Sequence, residues 1–172
     1  MERHVVPFDH ALDKTLARLA NPGLLLVGTK TTGESNVMTI GWGTVGIIWG
    51  KQVFAVLVRP SRYTYEFIEE SGAFTVNVPT DEMRAWTALC GTKSGRDIDK
   101  FGPHGMTLTA CEGLPAATID ACPMVYECRV VHHNDVIPAH LAPEIEARSY
   151  RGADYHRIYY GEILAARAAE GY

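Results

Sequence analysis

At 172 residues, 47% hydrophobic and 21% charged, the chain has the size and composition of one globular domain, which excludes a disordered polypeptide. Sixteen basic residues against twenty acidic give a net charge of −4, which argues against a nucleic-acid-binding module. No apolar run approaches the roughly 18–20 residues of a membrane span. The opening Met1–Asp9 lacks the apolar core of a signal peptide, so a cytoplasmic protein without membrane contact is expected.

Taken in chain order, residues 9–20 put Leu12, Leu16 and Leu19 on one helical face, and Asn21-Pro22-Gly23 stops that helix. Leu24–Thr31, apolar then polar, reads as a strand running into a turn at Thr32–Asn36. Val37–Trp49 is rich in β-branched residues and punctuated by Gly41, Gly43 and Gly46. That suits one strand that bends, or two strands meeting at a barrel corner. Val53–Val58 is a buried strand ended by Arg59-Pro60-Ser61. Tyr63–Ser71 reads as a short amphipathic helix with Ser61 as its N-cap and Gly72 past its end. Phe74–Val78 alternates with period two up to Pro79.

A further helix runs from about Asp81 to Cys90, with Met83, Trp86, Leu89 and Cys90 inward. Residues 91–105 form a polar loop too long for a plain connection. Short strands follow near 106–110 and 117–121, then longer ones at Met124–His133 and Tyr155–Ala165. The last two straddle a proline-punctuated stretch, 134–154, that reads as an insertion or an extra hairpin. About seven or eight strands at short spacing, with two or three short helices, predict a mainly β chain: an antiparallel barrel with peripheral helices. A βαβ sheet would need a crossover of about a dozen residues between most strands.

Several motifs fail on context. Gly41-Trp42-Gly43-Thr44-Val45-Gly46 matches G-x-G-x-x-G, but a strand-like segment follows where a dinucleotide fingerprint needs a helix. Gly46–Gln52 is one residue short of a phosphate loop and lacks the Ser/Thr for magnesium. His132-His133 are strand neighbours that point to opposite faces, so they do not chelate one ion, and at least one is expected at the surface. There is no G-x-S-x-G and no H-E-x-x-H. Cys90, Cys111, Cys122 and Cys128 contain no C-x-x-C pair and read as free, mostly buried thiols, in preference to a disulfide framework or zinc ribbon.

One region carries chemistry. Lys51, Arg59 and Arg62 fall within twelve residues that contain no acid, and Ser61, Arg62 and Thr64 sit where a helix begins. A helix start offers unpaired N–H groups and partial positive charge, which suits a phosphate. The polar loop adds Lys93, Ser94, Arg96 and Lys100. Asn36, Met38, Thr39, Trp42 and Thr44 bring amide, hydroxyl and aromatic groups able to line a flat, hydrogen-bonding ring. A flavin mononucleotide presents that combination: a doubly charged phosphate, a polar ribityl chain and a three-ring head.

The blocks Asn36–Trp42, Arg59–Thr64, Phe74–Pro79, Ser94–Phe101 and Tyr155–Ile163, in this order, resemble the flavin reductase-like, FMN-binding split-barrel family, flavoredoxins included. The resemblance covers roughly residues 20–165 and implies a split barrel of antiparallel Greek-key type. It implies that Asn36, Met38, Thr39 and Trp42 lie beside the isoalloxazine and that Arg59, Ser61, Arg62 and Thr64 receive the phosphate. Lys100 would reach the phosphate end, and His156 would sit near the flavin, in relatives often across a homodimer interface. Thr44, Asn77 and Ser94 complete the expected FMN-binding set. At 134–154, where the family usually has a short link, this chain departs from the pattern.

With hydride chemistry residing in the cofactor, no catalytic side chain is required. The expected activity is hydride transfer from NADH or NADPH to FMN and on to a redox acceptor protein or free flavin. The alternatives are a flavoredoxin-like electron carrier without its own NAD(P)H turnover, and a structural barrel that binds no flavin.

Overall fold

The computed structural model describes residues 1–172. In chain order its elements are β1 (His4–Val6), α1 (Leu12–Ala20), β2 (Leu24–Thr29), β3 (Ser35–Ile40), β4 (Gly43–Ile48), β5 (Lys51–Val58), α2 (Tyr63–Ser71) and β6 (Ala73–Val78). They continue with α3 (Arg84–Thr92), β7 (Leu108–Ala110), β8 (Ala117–Ile119), β9 (Met124–Asp135), α4 (Pro143–Ser149) and β10 (Arg157–Ala168). The main sheet has the order β3-β2-β6-β9-β10-β5-β4, with β1 added on β10, and every pairing is antiparallel. The short β7–β8 ribbon stands apart. No helix is long and apolar enough to cross a membrane.

The apolar pattern explains the layering. Leu24 and Leu26 alternate with Leu25 and Val27, and all four are fully buried. The first pair enters the barrel interior with Phe54, Phe74, Tyr126 and Tyr159, while the second packs with Val37, Cys90, Met106 and Ile119. β2 therefore reads as an unbroken apolar run because both of its faces are covered. Fully burying a Leu or Phe side chain contributes about 1.5–3 kcal/mol, so these two clusters hold the fold. Gly28 fixes where α2 docks: a Cβ there would lie 2.8 Å from the Phe67 Cβ, so only glycine lets α2 rest on β2.

The segment Val37–Trp49 forms two strands, β3 and β4, so the corner reading holds. The G-x-G-x-x-G glycines lie at that corner and along β4, and no helix follows them. A 3₁₀ turn at Asp81–Met83 precedes α3, which starts later and ends later than its pattern suggests. Ser61 does not cap α2. Arg62 is the N-cap and makes no side-chain capping bond, while the Ser61 hydroxyl donates to Asp154 Oδ2 at 2.6 Å. The stretch 134–154 leaves the end of β9 at Asp135 and then is helical and not an extra hairpin, with a 3₁₀ turn at Pro138–His140 and then α4. Pro143 at the first turn followed by Glu144, Glu146 and Ala147 favours helix. All four cysteines are free, with Cys111 alone not buried, and His132 and His133 are both exposed.

Candidate functional site

β3 and β4 end the strand order and are not hydrogen-bonded to each other, so the barrel is split there. Over β3 at this split lies a trough of two adjoining hollows that share Met38, Thr39 and Arg62. One, of about 180 Å³, is lined by Met38–Trp42, Leu57, Arg59, Arg62 and His156. The other, of about 60 Å³, is lined by Asn36, Ser61–Thr64, Cys90, Gly91, Lys93–Gly95 and Lys100.

The donors of the second hollow would suit an anion. The backbone N–H groups of Tyr63 and Thr64, at the start of α2, have no acceptor in the protein. Asn36 Nδ2 donates to Thr64 Oγ1 at 2.8 Å, which leaves the Thr64 hydroxyl proton uncommitted. Ser94 Oγ accepts the Arg96 N–H at 3.1 Å, so its proton is free as well. A side chain at Gly95 would collide with the Asn36 amide oxygen, so the loop can close over β3 only through glycine.

Arg62 and Lys93 line this hollow and pair with no carboxylate. Lys100 is 3% exposed, and its Nζ donates to the Val37 carbonyl at 2.8 Å with no acid beside it. Burial holds the Lys100 ammonium below its usual pKa; the Cys90 thiol opposes that shift and Arg62 adds to it. A buried cation without a counterion is costly, and an anion entering the hollow relieves that cost.

The first hollow is aromatic. Trp42, 43% exposed, has its ring 5.0 Å from His156 and 6.4 Å, edge-on, from Tyr150. His156 Nδ1 lies 2.9 Å from the Tyr150 hydroxyl. Burial, with repulsion from Arg59 and Arg62 partly offset by Asp154, pushes the His156 pKa down to about 4. The imidazole is therefore neutral at pH 7.

The structure brings together eleven of the thirteen expected site residues, with different duties. Asn36, Met38, Thr39, Trp42, Arg62, Thr64, Ser94, Lys100 and His156 line the trough. Thr39 also anchors α3, its hydroxyl donating to the Thr87 carbonyl at 2.6 Å. Arg59 and Ser61 line it too, but each also binds the 134–154 segment. Arg59 donates to Asp154 O at 2.8 Å and Ser149 O at 2.7 Å, and the Ser61 hydroxyl goes to Asp154.

Two residues fall outside. Thr44 is exposed on β4 and lines neither hollow. Asn77 is fully buried: it donates to Leu25 O at 3.2 Å and Thr75 Oγ1 at 2.9 Å, and accepts from Ile119 N at 2.8 Å. It stitches β6 to β2 and β8, a core duty that a period-two pattern does not distinguish from a ligand contact.

Among the loop and β5 cations, Lys51 pairs with Glu162 at 2.7 Å at the far end of β5, and Arg96 pairs with Glu66. Sequence reasoning missed Tyr150, whose signal was only an aromatic residue in an unassigned segment.

A model of the flavin reductase like domain matches residues 17–172. A curated protein of Archaeoglobus fulgidus is 33% identical over 131 residues, which cover 76% of this chain and 64% of that protein. The chain thus spans less than two thirds of that relative. Flavoredoxin from Methanosarcina acetivorans is similar at 31% identity and a TM-score of 0.68, over 87% of this chain and 70% of that one. Flavoredoxin of Desulfovibrio vulgaris gives 25% identity and a TM-score of 0.68 over the same shares. With a split antiparallel barrel and a trough at its split, the chain belongs to the flavin reductase-like domain family.

Proposed function

We propose that the trough binds FMN and that the protein is an oxidoreductase of the flavin reductase type. One observation carries this reading: uncompensated cations and free helix-start N–H groups adjoin an aromatic hollow in one continuous trough. The donor set fits a phosphate monoester, which takes charge-assisted hydrogen bonds from Arg62, Lys93 and Lys100 and neutral ones from Thr64, Ser94 and the α2 N-terminus. The residues between, Asn36 and Thr39, suit a polyol chain, and Met38, Trp42 and His156 suit a flat ring. When bound, FMN supplies a hydride-accepting centre that takes electrons from NADH or NADPH and passes them to an acceptor protein or free flavin.

The chain's own part is to bind, orient and shield. Lys100 and Arg62 fix the charged end. Trp42 walls the ring, and neutral His156 adds no charge to it. A second reading, an FMN electron carrier without its own NAD(P)H turnover, is favoured by the similarity to two flavoredoxins. We further propose a homodimer. Exposed Trp42, Ile47 and Trp49, at 43%, 60% and 63%, leave apolar surface along β4 and the trough's rim.

An absorption spectrum of the purified protein, before and after adding FMN, tests the cofactor: a colourless protein that takes up no FMN refutes it. Oxidation of NADH and NADPH with free FMN as acceptor then separates enzyme from carrier, and sedimentation reports the oligomer.

A further inference from the structure

Beyond the end of β9, residues 136–154 have no part in the sheet, yet they are pinned against Arg59, Ser61 and Trp42 beside the aromatic hollow. Glu146 Oε1 accepts from Gly152 N at 2.7 Å and from the Tyr155 hydroxyl at 2.9 Å, closing the chain after α4. Arg151 and Asp154, neither a glycine, adopt left-handed φ values of 54° and 55°. Such conformations persist only where the surroundings enforce them. Asp154 in turn holds Ser61, and Arg59 binds two carbonyls of the segment.

The product of this bracing is one side chain. Tyr150 is 7% exposed, with its ring stacked 4.9 Å from Tyr155, edge-on to Trp42, and 5.1 Å beneath the Arg59 guanidinium. Its hydroxyl has a single partner in the protein, His156 Nδ1 at 2.9 Å. With the Tyr150 hydroxyl as the donor of this bond, Nδ1 is bare and the imidazole proton resides on Nε2. Nε2 has no partner in the protein and is not among its fully buried unpaired atoms, and His156 forms a wall of the hollow.

We propose that Tyr150 is a positioning residue that holds His156 as a fixed Nε2–H donor toward the aromatic hollow, its acceptor being a carbonyl oxygen of the flat ring bound there. That the ring is FMN's rests on the function proposed above. The charged and titratable groups facing the imidazole are Arg59 after β5, Arg62 at the start of α2, and Tyr150 and Asp154 from the segment. The two arginines and burial oppose a second proton, so the ring remains a neutral donor.

The test is nitrogen-15 NMR of the full chain without flavin, followed by FMN titration of the same samples. Wild-type His156 is expected to show a protonated Nε2 and a bare Nδ1 from pH 5 to 8. Tyr150→Phe keeps the ring and removes the donor. It should yield a mixture of tautomers, a higher His156 titration midpoint and roughly fivefold weaker FMN binding. A wild-type proton on Nδ1, or a Tyr150→Phe protein with the wild-type tautomer, overturns the proposal. Unchanged FMN affinity in a variant whose tautomer has shifted overturns the donor role. If the wild type binds no FMN but keeps the Nε2–H tautomer, the flavin reading fails and the positioning by Tyr150 stands.

Discussion

Charge is handled in opposite ways on the two sides of this barrel. Along β9 and β10 the cations meet carboxylates. Arg157 holds Asp135 at 2.7 Å and Glu69 at 2.9 Å, and Arg167 holds Glu127 at 2.6 Å. Glu162 accepts from Lys51 at 2.7 Å and from Arg129 at 2.9 Å. In the trough, Arg62, Lys93 and buried Lys100 meet none. Surface pairs of the first kind contribute about 0–1 kcal/mol each, so the contrast concerns charge balance more than stability. Where a fold with many acids leaves its buried cation unpaired, an anion from outside would complete the set.

Breaking this contrast begins with the largest expected effect, at a polar residue that belongs to neither side. Asn77→Ala should destabilise the protein by about 3 kcal/mol, because three buried hydrogen bonds lose their partner at once. Its FMN affinity should match the wild type's, and a weakened affinity in a folded Asn77→Ala protein would return Asn77 to the site.

The next effect is in acid. His156 binds its proton near pH 4 when folded and near its ordinary 6.5 when unfolded, so in this interval the unfolded chain holds more protons. Stability contributed by neutral His156 is complete above pH 6.5 and declines as the pH falls toward 4, by on the order of 2–3 kcal/mol. Denaturant unfolding of wild type against His156→Gln checks this: the wild-type curve should fall more steeply with acid, and parallel curves contradict it.

Within the trough, Arg62→Ala combined with Lys100→Met should weaken FMN binding about thirtyfold, a loss of about 2 kcal/mol. The flavin-free double variant should be no less stable than the wild type, since an uncompensated buried charge is gone. Fluorescence titration decides, and an unchanged affinity would put the phosphate elsewhere. The smallest effect lies among the ion pairs of β10. Glu162→Gln should cost less than about 1 kcal/mol and leave FMN binding untouched, as chemical denaturation and the same titration will report.

Much of the fold is legible in the chain. Leu12, Leu16 and Leu19 before Asn21-Pro22-Gly23 mark α1, and the alternation in Phe74–Val78 marks β6. The three residues of β1 carry too short a pattern to be noticed, and their strand exists because β10 extends beside them. The helical character of 134–154 lay in Pro143 and its following helix formers, masked by the flanking β-rich segments. At the site, Arg62, Thr64, Ser94 and Lys100 were legible as cations and hydroxyls at a helix start and in a polar loop. Thr44 and Asn77 were not separable from them, since a short polar residue on a strand looks the same facing solvent, core or ligand.

By itself the sequence determined the periods of its strands and helices, the turns between them and the inventory of donors. Those properties depend on neighbours a few residues away. Only the tertiary structure decided which donors were left unspent, because each decision joined distant positions: Asp154 took Ser61 and Arg59, Glu162 took Lys51, and Tyr150 took His156. Charge and hydrogen-bonding capacity are local to a residue, but their satisfaction belongs to whatever the fold brings within about 3 Å.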